Sequence, residues 1–273
     1  MPLRRPRRAL LTIALACAAM AVPAEERAGL RPATVQTAGQ AVLAVGRVDI
    51  GDRGFCTGTL ISPTLVLTAA HCLHERGRAE PFAVDALTFR AGLRHGSEAA
   101  RRRVRRMIMH PDYVPAAPHT LDRIAADLAL LELDRALEMP SIRPVPPRGR
   151  LDRGDRVRLI SYARNREEAP SYEDDCRVME RDARILMIDC DVDFGASGAP
   201  VFARTRDGMR IASVVSGGTD WQGIRVGLAA TVERGLTPLM EAFHRAPQLA
   251  PLRKTLTPGR RNDGTIRFVR PGG

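Results

Sequence analysis

A serine hydroxyl becomes a useful nucleophile only when it is exposed and given a base. Ser197 sits where the first condition can be met, in Asp191-Val192-Asp193-Phe194-Gly195-Ala196-Ser197-Gly198-Ala199-Pro200, with the apolar run Val201-Phe202-Ala203 following it. Glycines on either side let the backbone turn sharply and aim N–H groups into a cavity. The amides of Gly195 and Ser197 are the two that could hold an acyl-transfer oxyanion. On its own such a turn is an ordinary surface feature, so the reading depends on partners upstream. His71 ends the stretch Cys56-Thr57-Gly58-Thr59-Leu60-Ile61-Ser62-Pro63-Thr64-Leu65-Val66-Leu67-Thr68-Ala69-Ala70-His71-Cys72, read as two strands joined by a Ser-Pro turn. Asp127 opens the apolar strand Leu128-Ala129-Leu130-Leu131-Glu132-Leu133. A carboxylate buried there needs a partner to offset its desolvation, and an imidazolium suits it. A lone histidine is more often a satisfied loop or core residue; base, orienting carboxylate and nucleophile together define acyl-transfer chemistry.

Together, Thr-Ala-Ala-His-Cys, Asp-Leu-Ala-Leu-Leu and Gly-x-Ser-Gly-x-Pro resemble the trypsin-like, chymotrypsin-fold serine peptidases, over roughly residues 41–245. The resemblance implies two six-stranded antiparallel β-barrels with the cleft between them. It implies His71 as general base, Asp127 as its orienter, Ser197 as nucleophile, and Gly195 and Ser197 as the oxyanion hole. In that family a strand end matching Ser216-Gly217-Gly218 pairs with the substrate backbone and lines the primary pocket, as an extended peptide adds to a sheet edge. Ala196 stands where animal trypsins carry the aspartate that receives a new N-terminal ammonium, so no trypsinogen-type activation is expected. That departure resembles the bacterial branch similar to the glutamyl endopeptidases, whose usual threonine and histidine in the pocket are here Val192 and Val215. Asp191 occupies the place of the trypsin pocket acid, which would favour arginine or lysine at the cleaved bond. Of the three pairings four cysteines allow, the resemblance implies Cys56–Cys72, leaving Cys176–Cys190. Bridges of this loop size stabilise by on the order of 3 kcal/mol each.

The elements that must position these groups read as all-β. Short alternating runs separated by turn signals indicate barrels, about 41–137 and 151–232, inside one peptidase domain of 41–246. Residues 41–48 read as the first strand, 83–92 and 104–109 as further ones, and 138–150, rich in Pro, Gly and Arg, as the inter-barrel link. Residues 156–163, 176–179, 185–190, 211–218 and 227–232 supply the second barrel. Leu236, Leu239, Met240 and Phe243 have the spacing of a closing C-terminal helix. His110, in His110-Pro111-Asp112-Tyr113, reads as structural, and His74, His95 and His119 are given no role.

The net charge of +11 does not indicate nucleic-acid binding. Four arginines without an acid in the first 24 residues, and a net +5 from Pro247 onward, account for all but about +2. The run Arg101-Arg102-Arg103-Val104-Arg105-Arg106 reads as a solvated face. Residues 1–24 read as a secretory signal, with a basic start and an apolar run too short to span a bilayer; Cys17 as a lipid anchor and a twin-arginine signal fit less well. Residues 25–40 read as an arm or short pro-segment, and 247–273 as a disordered basic tail. The cysteines show no zinc-type spacing, so no metal or cofactor is expected; disulfides place the protein in an oxidising compartment, secreted or periplasmic. The expected partners are protein or peptide substrates, with no nucleic acid, no stable membrane association and a monomeric state. The rival function is a catalytically silent secreted binding protein that keeps the fold.

Overall fold

In a computed structural model that describes residues 29–247 except 76 and 119, the described residues form fourteen strands and four helices. The secretory-signal and tail assignments, residue 247 aside, lie outside the described residues, as does His119.

The first barrel contains β2 (Val45–Ile50), β3 (Phe55–Ser62), β4 (Leu65–Thr68), β5 (Leu87–Ala91), β6 (Ala100–Met109) and β7 (Ala129–Leu133). Its order is β2-β3-β4-β7-β6-β5, closed by β5 pairing back to β2. Val48, Leu60, Val66, Phe89 and Leu130, from five of its strands, are fully buried. The second unit contains β8 (Arg158–Ala163), β9 (Arg166–Glu173), β10 (Val178–Arg181), β11 (Ile185–Ile188), β12 (Pro200–Thr205), β13 (Gly208–Trp221) and β14 (Ile224–Thr231). Its strands form an eight-stranded sheet when β1 (Arg31–Pro32) is counted on the outer edge of β9. β9 and β10 are two halves of one bent strand. β9 pairs with β8 as far as Leu159 opposite Glu173, and the Arg156–Arg177 bridge with Val157 N–H to Cys176 O continues the same pairing. The ring β8, β9/β10, β11, β14, β13, β12 is thus a second six-stranded barrel.

Several local expectations change. Residues 41–44 form helix α2 (Ala41–Ala44), not a strand, because Val42 and Leu43 donate to Gly39 O and Gln40 O and wind the chain before it enters β2. The described part of the arm before it, 29–40, is built into the fold. Arg31 pairs with Asp174 and lies 4.6 Å over the Tyr172 ring, α1 (Val35–Ala38) is capped by Thr34, and Ala33 and Ala38 are buried. β9 has no strand signature in sequence, since Glu167, Glu168 and Pro170 are all poor strand formers. The closing helix α4 starts earlier than expected, at Val232, and runs to Arg245, burying Val232, Gly235 and Leu239.

The arginine run is not simply solvated. A bulge in β6 between Val104 and Arg106 lets both Arg105 and Arg106 reach the Glu132 carboxylate. Arg106 is buried, lies 4.0 Å over the Phe243 ring, and donates to the Ala246 and Pro247 carbonyls at 3.1 and 3.3 Å. It therefore ties the end of α4 to the first barrel. Disulfides join Cys56 to Cys72 and Cys176 to Cys190, with Cα separations of 6.3 and 5.1 Å.

Candidate active site

His71 is delivered by the end of β4. The chain leaves Thr68, turns through a 3-10 segment (Ala70–Leu73), and is stapled to β3 by Cys72–Cys56. Asp127 is delivered from the other side, between helix α3 (Leu121–Ala125), capped by Thr120, and β7. Its carboxylate is 2% exposed and accepts two hydrogen bonds from one residue, the His71 backbone N–H at 2.8 Å and ring Nδ1 at 2.6 Å. The Ser216 hydroxyl donates a third, to Oδ2. Burial alone would push this carboxyl up, but the His71 charge and these three hydrogen bonds outweigh it and hold Asp127 below the usual carboxylate range. An acceptor at Nδ1 assigns the ring proton there, which leaves Nε2 as the basic atom facing away from Asp127. His71 itself keeps 29% of its side chain exposed.

Ser197 is delivered by a turn clamped between the barrels. Ala196 N–H bonds Asp193 O and Ala199 N–H bonds Ala196 O, with Gly195 and Gly198 at φ +93° and +80°. Gly198 is required by more than its φ. A Cβ there would stand 2.1 Å from Thr57 O and 2.3 Å from Thr68 Oγ1, against the strand end that carries His71. The Thr57 N–H donates to Ser197 O at 2.9 Å, and Gly198 N–H to Val215 O at 2.8 Å, one residue before Ser216. The turn that carries Ser197 is thereby held against the segments that carry His71 and Ser216.

The three carbonyls that precede Ser197 are engaged. Arg164 N–H takes Phe194 O at 2.7 Å, Thr57 Oγ1 takes Gly195 O at 2.9 Å, and Ala199 N–H takes Ala196 O at 2.9 Å. In a trans peptide the N–H points opposite its carbonyl. The Gly195 N–H therefore faces away from Arg164, and the Ser197 N–H away from Ala199. Among the described residues neither donates to a backbone carbonyl, which is the state an oxyanion-binding pair requires. Ala196 is fully buried with apolar neighbours, so the turn is ordered here by Thr57 and Arg164 and not by a buried charge.

Of the residues expected to line a substrate pocket, Gly217 and Gly218 lie on β13 opposite Leu228 and Gly227, just past a bulge at Ser216 that turns its hydroxyl to Asp127. Val192 is buried against Gly227. Asp191 is exposed, and its N–H donates to the buried Glu173 carboxylate at 2.9 Å. His110 is buried and its Nδ1 accepts from Asp112 N–H, a structural role. Sequence reasoning did not find Thr57, the Arg164 amide, the Ser216 hydroxyl on Asp127, or Glu173. Only the Thr in Cys56-Thr57-Gly58, beside the histidine motif, offered a signal.

Burial, aided by the nearby Asp175, Asp191 and Asp189 charges, pushes the Glu173 carboxyl above its usual range. A carboxyl raised in the folded state stabilises fully below its unfolded value of about 4.3, and that stability is lost as pH rises through the folded value. Glu173→Gln keeps an acceptor for the Asp191 N–H without the charge. It is expected to raise the thermal midpoint at pH 7 by on the order of 2–4 °C, with the gain vanishing at pH 4; an equal difference at both pH values would overturn this.

Residues 56–208, more than half of the chain, match the family described as trypsin-like peptidase domain. A modular serine protease of Drosophila melanogaster is 33% identical over 93 residues, 33% of this chain and 15% of its own length. A trypsin of Phaedon cochleariae is 37% identical over 92 residues, 33% of this chain and 32% of its own. The chain thus spans under a third of either relative. A solved structure of a Glu endopeptidase in complex with MPD aligns with a TM-score of 0.63 over 78% of this chain and 95% of that one, at 16% identity, which shows likeness of fold.

Proposed function

Since the chain belongs to the trypsin-like peptidase domain family, we propose that it is a serine endopeptidase that cuts peptide bonds through an acyl-enzyme. His71 Nε2 accepts the Ser197 hydroxyl proton as Oγ attacks the scissile carbonyl. The oxyanion is stabilised by the Gly195 and Ser197 N–H groups. The imidazolium, stabilised by the buried Asp127 carboxylate, passes the proton to the leaving amine. Water then repeats the sequence to free the acid and regenerate Ser197. The observation that carries this reading is the pair of His71 hydrogen bonds to Asp127 at 2.8 and 2.6 Å, with the Ser197 turn anchored through Thr57 to the strand beside the one that delivers His71.

The substrates are proteins or peptides in extended form, paired against the Ser216–Gly218 strand. The protein acts as a monomer outside the cytoplasm, secreted or periplasmic. Two disulfides need an oxidising compartment, and no helix among the described residues is long and apolar enough to cross a membrane.

The test is covalent labelling of the folded, disulfide-intact protein with a fluorophosphonate, followed by peptide mapping. A single adduct on Ser197 is expected. An adduct elsewhere, or none, would overturn the reading.

A further inference from the structure

Thr57 lies in β3 of the first barrel and is fully buried. It grips the nucleophile turn of the second barrel at two points. Its backbone N–H donates to Ser197 O at 2.9 Å, and its hydroxyl donates to Gly195 O at 2.9 Å. These are the carbonyls of the two residues whose N–H groups form the proposed oxyanion hole. The hydroxyl is fixed from behind as well. It accepts from the Tyr162 N–H on β8 at 3.0 Å, which leaves its single proton for a carbonyl, and Gly195 O is nearer than Tyr162 O, at 3.3 Å. The Thr57 carbonyl in turn accepts from Thr68 Oγ1 at 2.8 Å, at the end of the strand that delivers His71.

Gly195 stands at φ +93° and has no side chain to hold its conformation. Its orientation is set from outside. The Arg164 N–H holds Phe194 O on one side of it, and the Thr57 hydroxyl holds its own carbonyl on the other. A Cβ on Gly195 would stand 2.3 Å from the Phe55 ring, so the glycine cannot be replaced by a stiffer residue. Ala196 beside it is buried and brings no charge that could tie the turn down. The Arg164 bond and the Thr57 N–H bond come from the backbone and are open to any residue but proline. The hydroxyl bond is the one that depends on residue type. Without it, Gly195 O and the Tyr162 N–H would both lose a buried partner, and Gly195 would be free to turn its N–H away.

We propose that the Thr57 hydroxyl is a positioning group for catalysis. By holding Gly195 O it keeps the Gly195 N–H aimed at the oxyanion, so the contact between the barrels sets the competence of the nucleophile turn. This rests on the serine endopeptidase reading and extends it to a first-barrel residue that touches neither substrate nor the reacting atoms.

The experiment compares the whole, disulfide-intact wild type with Thr57→Val, Thr57→Ala and Thr57→Ser. It uses a peptide amide that the wild type cuts, a peptide boronate whose tetrahedral adduct places an oxygen in the oxyanion hole, and fluorophosphonate titration to count competent sites. Valine approximates the shape of threonine without the hydroxyl. Thr57→Val is expected to lower kcat about 10- to 100-fold, short of the roughly 10²- to 10³-fold loss when an oxyanion donor is removed outright. It should weaken the boronate by a similar factor and leave KM, and the pH midpoint of kcat/KM that His71 sets, unchanged. Thr57→Ala should behave likewise, and Thr57→Ser should restore most of both kcat and boronate affinity. Wild-type kcat in Thr57→Val, a loss carried by KM, or no rescue by serine would overturn the positioning role. Loss of folded protein in both Thr57→Val and Thr57→Ala would make the hydroxyl a stability residue and overturn it too. In each of these cases a wild type that labels at Ser197 and cuts leaves the peptidase reading standing. A wild type that neither labels nor cuts would overturn both.

Discussion

Ser197→Ala and His71→Ala are each expected to lower kcat by about 10⁶-fold, with the double variant no slower than either single one. Non-additivity follows from the chemistry. Without His71 the Ser197 hydroxyl has no group to take its proton, and without Ser197 the imidazole has no proton to take. In the proposed mechanism either loss removes the acyl-enzyme route whole and leaves only substrate binding and the Gly195 and Ser197 amides to act on the carbonyl. The two variants should differ in stability. His71 supplies two of the three hydrogen bonds on a carboxylate that is 2% exposed. The backbone N–H survives in His71→Ala but the ring does not, so the buried charge loses its ion partner and the thermal midpoint falls. Ser197→Ala removes one hydroxyl, while the contacts that anchor its turn are made by the backbone of residues 197 and 198. Its midpoint should stay near that of the wild type. Kinetics of the two single variants and the double, with thermal scans of each, decide the matter. Multiplicative losses would mean that Ser197 and His71 do not act as one unit.

Chemistry was more legible in the sequence than support. His71, Asp127 and Ser197 stand out because each residue type is needed in a particular setting: a strand end, a strand start and a glycine turn. The structure places His71 and Asp127 in contact and brings the Ser197 turn to them. The barrels were readable because short apolar runs and alternations bounded by turn residues recur through β3, β5 and β12 to β14. β9 was not, since its pairing with β8 and β1 is decided by tertiary contacts such as Tyr172 under Arg31, which outweigh weak local propensity. The opening of β2 was overread as strand from an apolar run that instead makes one helical turn. The arginine run of β6 was read by composition as solvated, yet a one-residue bulge turns Arg106 inward to Glu132 and α4. Bulges and long-range side-chain bonds have no local signature. The same holds for Ser216. Its place in a strand beside glycines suggests a substrate edge, and nothing in sequence says that its hydroxyl ends on Asp127, 89 positions away.

Asp127→Asn is expected to lower kcat by about 10⁴-fold while leaving the fold intact, the scale seen when the orienting carboxylate of such a triad becomes an amide. The reason lies in the donor count around this carboxylate. Three donors converge on it, the His71 N–H, His71 Nδ1–H and the Ser216 hydroxyl. An asparagine offers one acceptor oxygen and one NH₂. If the oxygen keeps the backbone N–H, the NH₂ faces the ring and can be satisfied only by an unprotonated Nδ1. The ring proton then moves to Nε2, the atom that takes the Ser197 proton in the proposed mechanism, and the imidazole cannot act as a base. If the amide turns over, two N–H donors oppose each other in a buried site, at a cost of about 1–3 kcal/mol. Either arrangement also removes the negative charge that stabilises the imidazolium. Stability should follow pH in the matching sense. The Asp127 carboxyl is held below its usual range in the folded protein, so its contribution is present above the unfolded value of about 3.9 and is lost as pH falls through the folded one. The wild type should therefore exceed Asp127→Asn in thermal midpoint at pH 7, with the gap closing as the solution is acidified below pH 4. A variant that keeps kcat within tenfold of wild type would sink the orienting role of Asp127. A midpoint gap that persists unchanged into acid would show that the pairing with His71 is not what keeps this carboxylate ionised.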